Sequence, residues 1–130
     1  MGLDITFYKE NKFDTDSHEE VGYFRKVNFL LTYFNATKEE DNCRKIYITK
    51  DEFKQFIADL NDELANRNHD SLDGPINEKL KTVYVFFGGP VDYDEWYWED
   101  VKAVRNWAQE FIEGDNIDWE NDNLYMIAWW

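Results

Sequence analysis

The sequence predicts an α/β or α+β protein, a single two-layer domain over residues 1–130 in which three helices pack on a small sheet of three to four strands. Three observations carry this. Apolar residues recur at spacings of three and four in three long segments. Short alternating or wholly apolar runs fall at 3–8, 80–87 and 124–130. Finally, 130 residues with 43% hydrophobic and 18% aromatic side chains are enough for one core and too few for two. Helical stripes and half-apolar strands must be buried against each other, and helices covering one sheet is the economical arrangement.

Taken in order, Leu3, Ile5 and Phe7 alternate with polar residues and predict a first strand over 3–8. The charged stretch 9–17 has no period and reads as a loop, with Asp16 or Ser17 capping a helix from about Glu19 to Phe34 whose stripe is Tyr23, Val27, Leu30, Leu31 and Phe34. Polar residues 36–45 form a second loop, and Ile46-Tyr47-Ile48 is a short extended lead-in. Thr49-Lys50-Asp51-Glu52 is a capping box, so a helix starts there and buries Phe53, Phe56, Ile57, Leu60 and Leu64 before a mobile loop over 66–77. Residues 80–87, β-branched and aromatic on both faces, predict an interior strand ended by Gly88-Gly89-Pro90. Asp94 then caps a third helix with the stripe Tyr97, Val101, Val104, Ala108 and Phe111, ending near Gly114, and 124–130 supplies a second interior strand.

Charge narrows the classes of function. Twenty-eight acids against fourteen Lys and Arg give −14, a field that repels phosphate backbones and anionic lipids, so neither direct nucleic-acid binding nor membrane association is expected. One cysteine, set among acids at Cys43, fits a reducing cytoplasmic setting, and no apolar run approaches membrane-spanning length. Gly2 with Thr6 and Asn35-Ala36-Thr37 match short acylation and glycosylation patterns, but the first lies in a strand pattern and nothing points the second to the secretory route.

Catalytic chemistry finds little support. His18 and His69 lie in separate polar segments with no partner at metal-ligand spacing, and Asp14-Thr15-Asp16 lacks the apolar strand that an aspartyl-phosphate site needs. A phosphate at Gly88-Gly89-Pro90 would meet Asp92, Asp94 and Glu95. No cofactor is expected, and no metal. Asp118, Glu120 and Asp122 alternate, but Asn123 stands where a calcium loop needs glycine.

The acids are unevenly placed. From Thr82 onward eleven acids face only Lys102 and Arg105, a local charge of −9, and all six tryptophans share that region. With Tyr97 and Val101 on the buried stripe, Trp96 and Trp98 fall toward the flanks of the helix. Aromatic anchors in an acidic rim are what recognition of a basic protein needs, and the candidate residues are Asp92, Tyr93, Asp94, Glu95, Trp96, Glu99 and Asp100.

Met1-Gly2-Leu3-Asp4, Val21-Gly22-Tyr23-Phe24-Arg25-Lys26-Val27-Asn28, Phe86-Phe87-Gly88, the run from Asp92 to Asp100 and the terminal Ala128-Trp129-Trp130 together resemble a family of small proteins of phages and prophages. The resemblance implies phage origin. It stops short of a histidine that family members carry later in the first helix, since Phe29-Leu30-Leu31 has none, and Phe24 stands where they have tryptophan. The reading that results is a non-enzymatic, cytoplasmic protein that engages a basic surface of a host or defence protein, in its sharpest form an inhibitor mimicking nucleic acid. The alternatives are a small metal-dependent or nucleotide-handling enzyme using the 92–100 carboxylates, and a phage structural or assembly protein. Oligomeric state is left open.

Overall fold

The computed structural model describes residues 2–66, 74–83 and 93–130. Strands β1 (Asp4–Asn11) and β2 (Asp14–Arg25) are followed by the short helix α1 (Phe29–Tyr33), strand β3 (Ile46–Ile48), helices α2 (Lys50–Asn66) and α3 (Glu95–Glu113), and strand β4 (Asp122–Trp129). The strands make one antiparallel sheet in the order β2-β1-β4-β3, so β4 is interior. Among the described residues the chain thus forms an α+β domain of three α-helices and one four-stranded sheet.

Alternation sets the two faces of the sheet. Ile5 lies opposite Ala128, Phe7 opposite Met126 and Ile48 opposite Leu124, all of them buried on the side of the helices. Against them pack Phe53, Phe56 and Leu60 of α2 and the stripe Tyr97, Val101, Val104, Ala108 and Phe111 of α3. The α2 cap uses half of the expected box. Thr49 Oγ1 accepts from the Glu52 amide at 3.1 Å, and its hydroxyl donates to the Glu52 carboxylate at 3.0 Å. Asp94 caps α3 by accepting from the Tyr97 amide at 3.1 Å, and the helix ends at Gly114 as its spacing predicts.

The structure corrects the reading of 9–34. The expected loop over 9–17 and the expected helix from Glu19 are a β-hairpin that runs to Arg25, and only Phe29–Tyr33 is helical. The hairpin turns at Lys12-Phe13, where Asn11 Oδ1 accepts from the Phe13 amide at 2.9 Å, a side-chain turn that needs no glycine. The stripe from Tyr23 to Phe34 combines two elements. Tyr23 stands exposed on a strand, Lys26 turns the chain with φ of 62°, and Leu30, Leu31 and Phe34 belong to α1 and its end. Asn35, at φ of 56°, closes that helix while the Ala36 amide reaches back to Leu31 O at 2.8 Å.

Pairing of Gly22 with Phe7 decides in favour of the strand. A register shift beside that pair leaves Val21 bulged, and the Val21 carbonyl accepts the Trp107 indole N–H at 2.7 Å. A Cβ on Gly22 would stand 2.6 Å from the Trp107 ring. Gly22→Ala is therefore expected to cost about 1–3 kcal/mol in urea melts, and much less when Trp107 is already leucine.

The expected strand over 80–87 is corrected where it is described. Leu80 ends a 3₁₀ turn (Glu78–Leu80), buried, with 81–83 irregular after it. Residues 84–87, Gly88-Gly89-Pro90, His69 and most of the loop after α2 lie outside the described residues. Beyond β3 the sheet is prolonged by side-chain mimicry. The Asn42 amide exchanges hydrogen bonds of 3.0 and 3.1 Å with the Trp130 backbone, and the Cys43 amide donates to Ala128 O at 2.8 Å.

Candidate functional site

The start of α3 presents most of the residues singled out from the sequence. Asp94, Glu95 and Glu99 are exposed, and Trp96 is 71% exposed. Glu95 and Glu99 stand one turn apart on one helix face. Asp92 lies outside the described residues. Tyr93 has a supporting role: its hydroxyl accepts from the Thr82 amide at 3.1 Å and its ring meets Tyr97 edge-on at 5.0 Å. Trp98, expected on a flank, is 6% exposed and packs edge-on against Tyr97, so of the neighbouring pair only Trp96 faces solvent.

Beside Trp96 lies a cavity of about 200 Å³, lined by Lys26, Asn28, Phe29, Thr82, Asp94, Trp96, Tyr97 and Asp100. Its far wall is fixed by Asn28, whose side chain donates to Val83 O at 2.8 Å and accepts from the Val83 amide at 2.6 Å. The half-buried Asp100 carboxyl is pushed up to about 6, first by burial and then by the Asp94 and Glu99 charges. A carboxyl raised in this way opposes folding where it must ionise, so the penalty is absent below about pH 4, grows from pH 4 to 6 and persists above. Asp100→Asn should stabilise the protein at pH 7 by about 1 kcal/mol after allowance for solvent screening, a gain that disappears by pH 4. Urea midpoints of both proteins across that range check it.

A cavity walled by an exposed indole, with the Asp94 and Asp100 carboxyls and the Lys26 side chain in its lining, can hold an ammonium or guanidinium group paired with a carboxylate and stacked on the ring. A metal has less to hold it: among the described residues no three His, Cys, Asp or Glu side chains converge on one point. The other acidic segment is committed to its own turn. Asp118 accepts from Asn121 Nδ2 at 2.6 Å and from the Glu120 amide at 3.1 Å, which holds its carboxyl below the ordinary range, and Asp122 accepts from the Asp118 amide at 3.2 Å. Asp14 and Asp16 are exposed on β2, and His18 stands edge-on to Tyr8 at 5.8 Å.

Sequence spacing held no signal for Lys26, Asn28, Phe29 and Thr82 in the cavity wall, because the fold brings them to α3 from far along the chain. A second surface also went unnoticed, the sheet face turned away from the helices. One rung carries Arg25, Asp4 and Trp129, the next Tyr23, Thr6 and Ile127, and a third Glu20, Tyr8, Tyr125 and Tyr47. Tyr8 and Tyr125 stack at 5.3 Å, and the Tyr23 hydroxyl donates to Asp4. Glu10, 1% exposed, receives Lys45 Nζ at 3.0 Å and the Tyr47 hydroxyl at 2.8 Å. Burial alone would raise that carboxyl, but the bonds from Lys45 and Tyr47 and the Lys45 charge outweigh it and hold it below its usual value.

Fold and site together define a small α+β protein with an acidic, tryptophan-bearing helix start beside a cavity. No protein-family model matches the chain, and searches of curated proteins and of solved structures return no match. Among the described residues no helix is long and apolar enough to cross a membrane.

Proposed function

We propose that this is a phage-encoded, non-enzymatic binding protein that engages a basic surface of a host or defence protein through the start of α3. The exposure of Trp96 between carboxylates, in the wall of a cavity that Asp94 and Asp100 also line, carries the reading. An indole left 71% in water contributes little to this chain's own core and is free to anchor a partner. A charge of −14 steers a basic surface toward it, and carboxylates on a helix can occupy a groove that otherwise holds phosphates.

The test is capture from host lysate on the immobilised protein, eluted with salt. The reading expects a basic protein that the wild type retains, that salt releases and that Glu95→Lys/Glu99→Lys fails to retain. Equal retention by that variant, or no salt-released protein at all, rejects it. An enzymatic reading through these carboxylates would require turnover of phosphate esters or nucleotides that Asp94→Asn abolishes.

A further inference from the structure

The cavity beside Trp96 contains a charge that the fold leaves unmatched. Asp100 is half-buried, and among the described residues its carboxyl takes no hydrogen bond and forms no ion pair. The nearby charges on its own helix, Asp94 and Glu99, repel it. Lys26, the cation that the described residues supply to the lining, is exposed and bonds neither carboxylate. An unpaired carboxylate drawn partly out of water works against folding, so packing alone gives no reason for an acid at this position.

Size and shape narrow the occupant. A volume of about 200 Å³ lies below the roughly 300 Å³ at which pockets for small molecules and cofactors begin, and leaves room for one side chain. Two carboxyls against one ammonium select a cation. Asp94 commits Oδ1 to the Tyr97 amide, while its Oδ2 and both Asp100 oxygens are open among the described residues. The flat Trp96 indole, 71% exposed, favours a planar cation. A guanidinium stacks on an aromatic face while its N–H fork reaches a carboxylate, and it sheds water more readily than an ammonium.

We propose that this cavity takes a single arginine side chain of the partner, its guanidinium paired with Asp100 and stacked on Trp96. The inference rests on the binding role proposed for the α3 start and names the group recognised there. Glu95 and Glu99 steer the partner, and Asp100 selects the side chain. Lys26 opposes the incoming charge, so its removal should tighten binding, the reverse of what a site for an anion would show.

The probe is the peptide acetyl-Gly-Arg-Gly-amide, titrated into the full chain and followed by NMR at the Trp96 indole N–H, which Trp96→Phe identifies. Urea melts establish that each variant is folded. The wild type should show a saturable shift with a dissociation constant on the order of 1 mM, the strength of one anchored side chain. Counterparts carrying lysine, or citrulline, which keeps the shape and lacks the charge, should each bind at least about fivefold more weakly. Asp100→Asn should weaken the arginine peptide about tenfold and Lys26→Gln should tighten it about threefold. Glu110→Gln, which removes the same charge about three turns further along α3, should leave it unchanged. No saturable shift up to ~50 mM overturns the proposal, that concentration lying well above the expected dissociation constant. So does equal binding of the citrulline or lysine peptide, indifference to Asp100→Asn, or weaker binding by Lys26→Gln. A captured partner that Glu95→Lys/Glu99→Lys loses and Asp100→Asn holds at full affinity removes the arginine pocket and leaves the α3 surface standing. Arginine binding with no partner captured does the reverse.

Discussion

Truncating Phe111 to alanine is expected to destabilise the protein by about 3–5 kcal/mol, among the largest effects available to a single substitution in this core. The ring is 5% exposed, stacks on Trp107 at 5.7 Å and meets Phe53 edge-on at 5.8 Å. Both neighbours are rigid aromatics pinned elsewhere, Trp107 by its bond to Val21 O and Phe53 by contacts with Phe56 and Trp119. They cannot collapse into the space left, so the cavity term adds to the lost transfer energy. Urea melts of Phe111→Ala beside a control at exposed Lys102 measure this. A loss within about half a kcal/mol, the size typical of surface positions, would mean that the α3 stripe does not face the sheet.

That prediction was available from the sequence because α3 is long, capped and strictly periodic. Asp94, Tyr97, Val101, Val104, Ala108, Phe111 and Gly114 each take the role that their spacing assigns. The same holds for Thr49 and the stripe of α2, and for the apolar runs that became β1, β3 and β4. Misreading began at β2, where the deciding interactions are far away in sequence. Glu19 to Arg25 has no strand alternation of its own. What holds it extended is pairing with β1 on one side and, at the Val21 bulge, the Trp107 indole from 86 residues further on. A local window that joined Tyr23 to Leu30 therefore found a helix that tertiary contacts replace with a hairpin and a single short helix.

Legibility of the site follows the same division. Exposure of Glu95, Trp96 and Glu99 follows from helical phase alone and was readable. Burial of Trp98 was not, since it packs edge-on to Tyr97 although it lies one residue past the stripe. Tyr93 looks like part of a surface aromatic run until Thr82 arrives to bond its hydroxyl. The outer sheet face was missed for a different reason. Apolar residues on both faces of 124–130 predict an interior strand, which β4 is, but do not say which face the helices cover; Ile127 and Trp129 lie on the face opposite the core residues Leu124, Met126 and Ala128.

The second large effect is expected at that helix start, and its two components separate in kinetics. Glu95→Lys/Glu99→Lys changes the local charge by four units at exposed positions, so the fold should lose no more than about 1 kcal/mol, mainly from cations at the positive end of α3. Association with the captured partner should instead slow at least tenfold at low salt. That deficit should shrink as salt rises, because steering reaches only about 8 Å at physiological ionic strength. Trp96→Ala removes no charge, so its association rate should stay near that of the wild type while dissociation quickens by roughly tenfold or more, the loss of an anchor worth about 2 kcal/mol. Salt should leave the Trp96→Ala deficit unchanged. Surface plasmon resonance at several salt concentrations reads both rates. If the double lysine variant folds normally and binds with wild-type rates, the carboxylates act only as caps and solvated charge, and the α3 start is not the recognition surface.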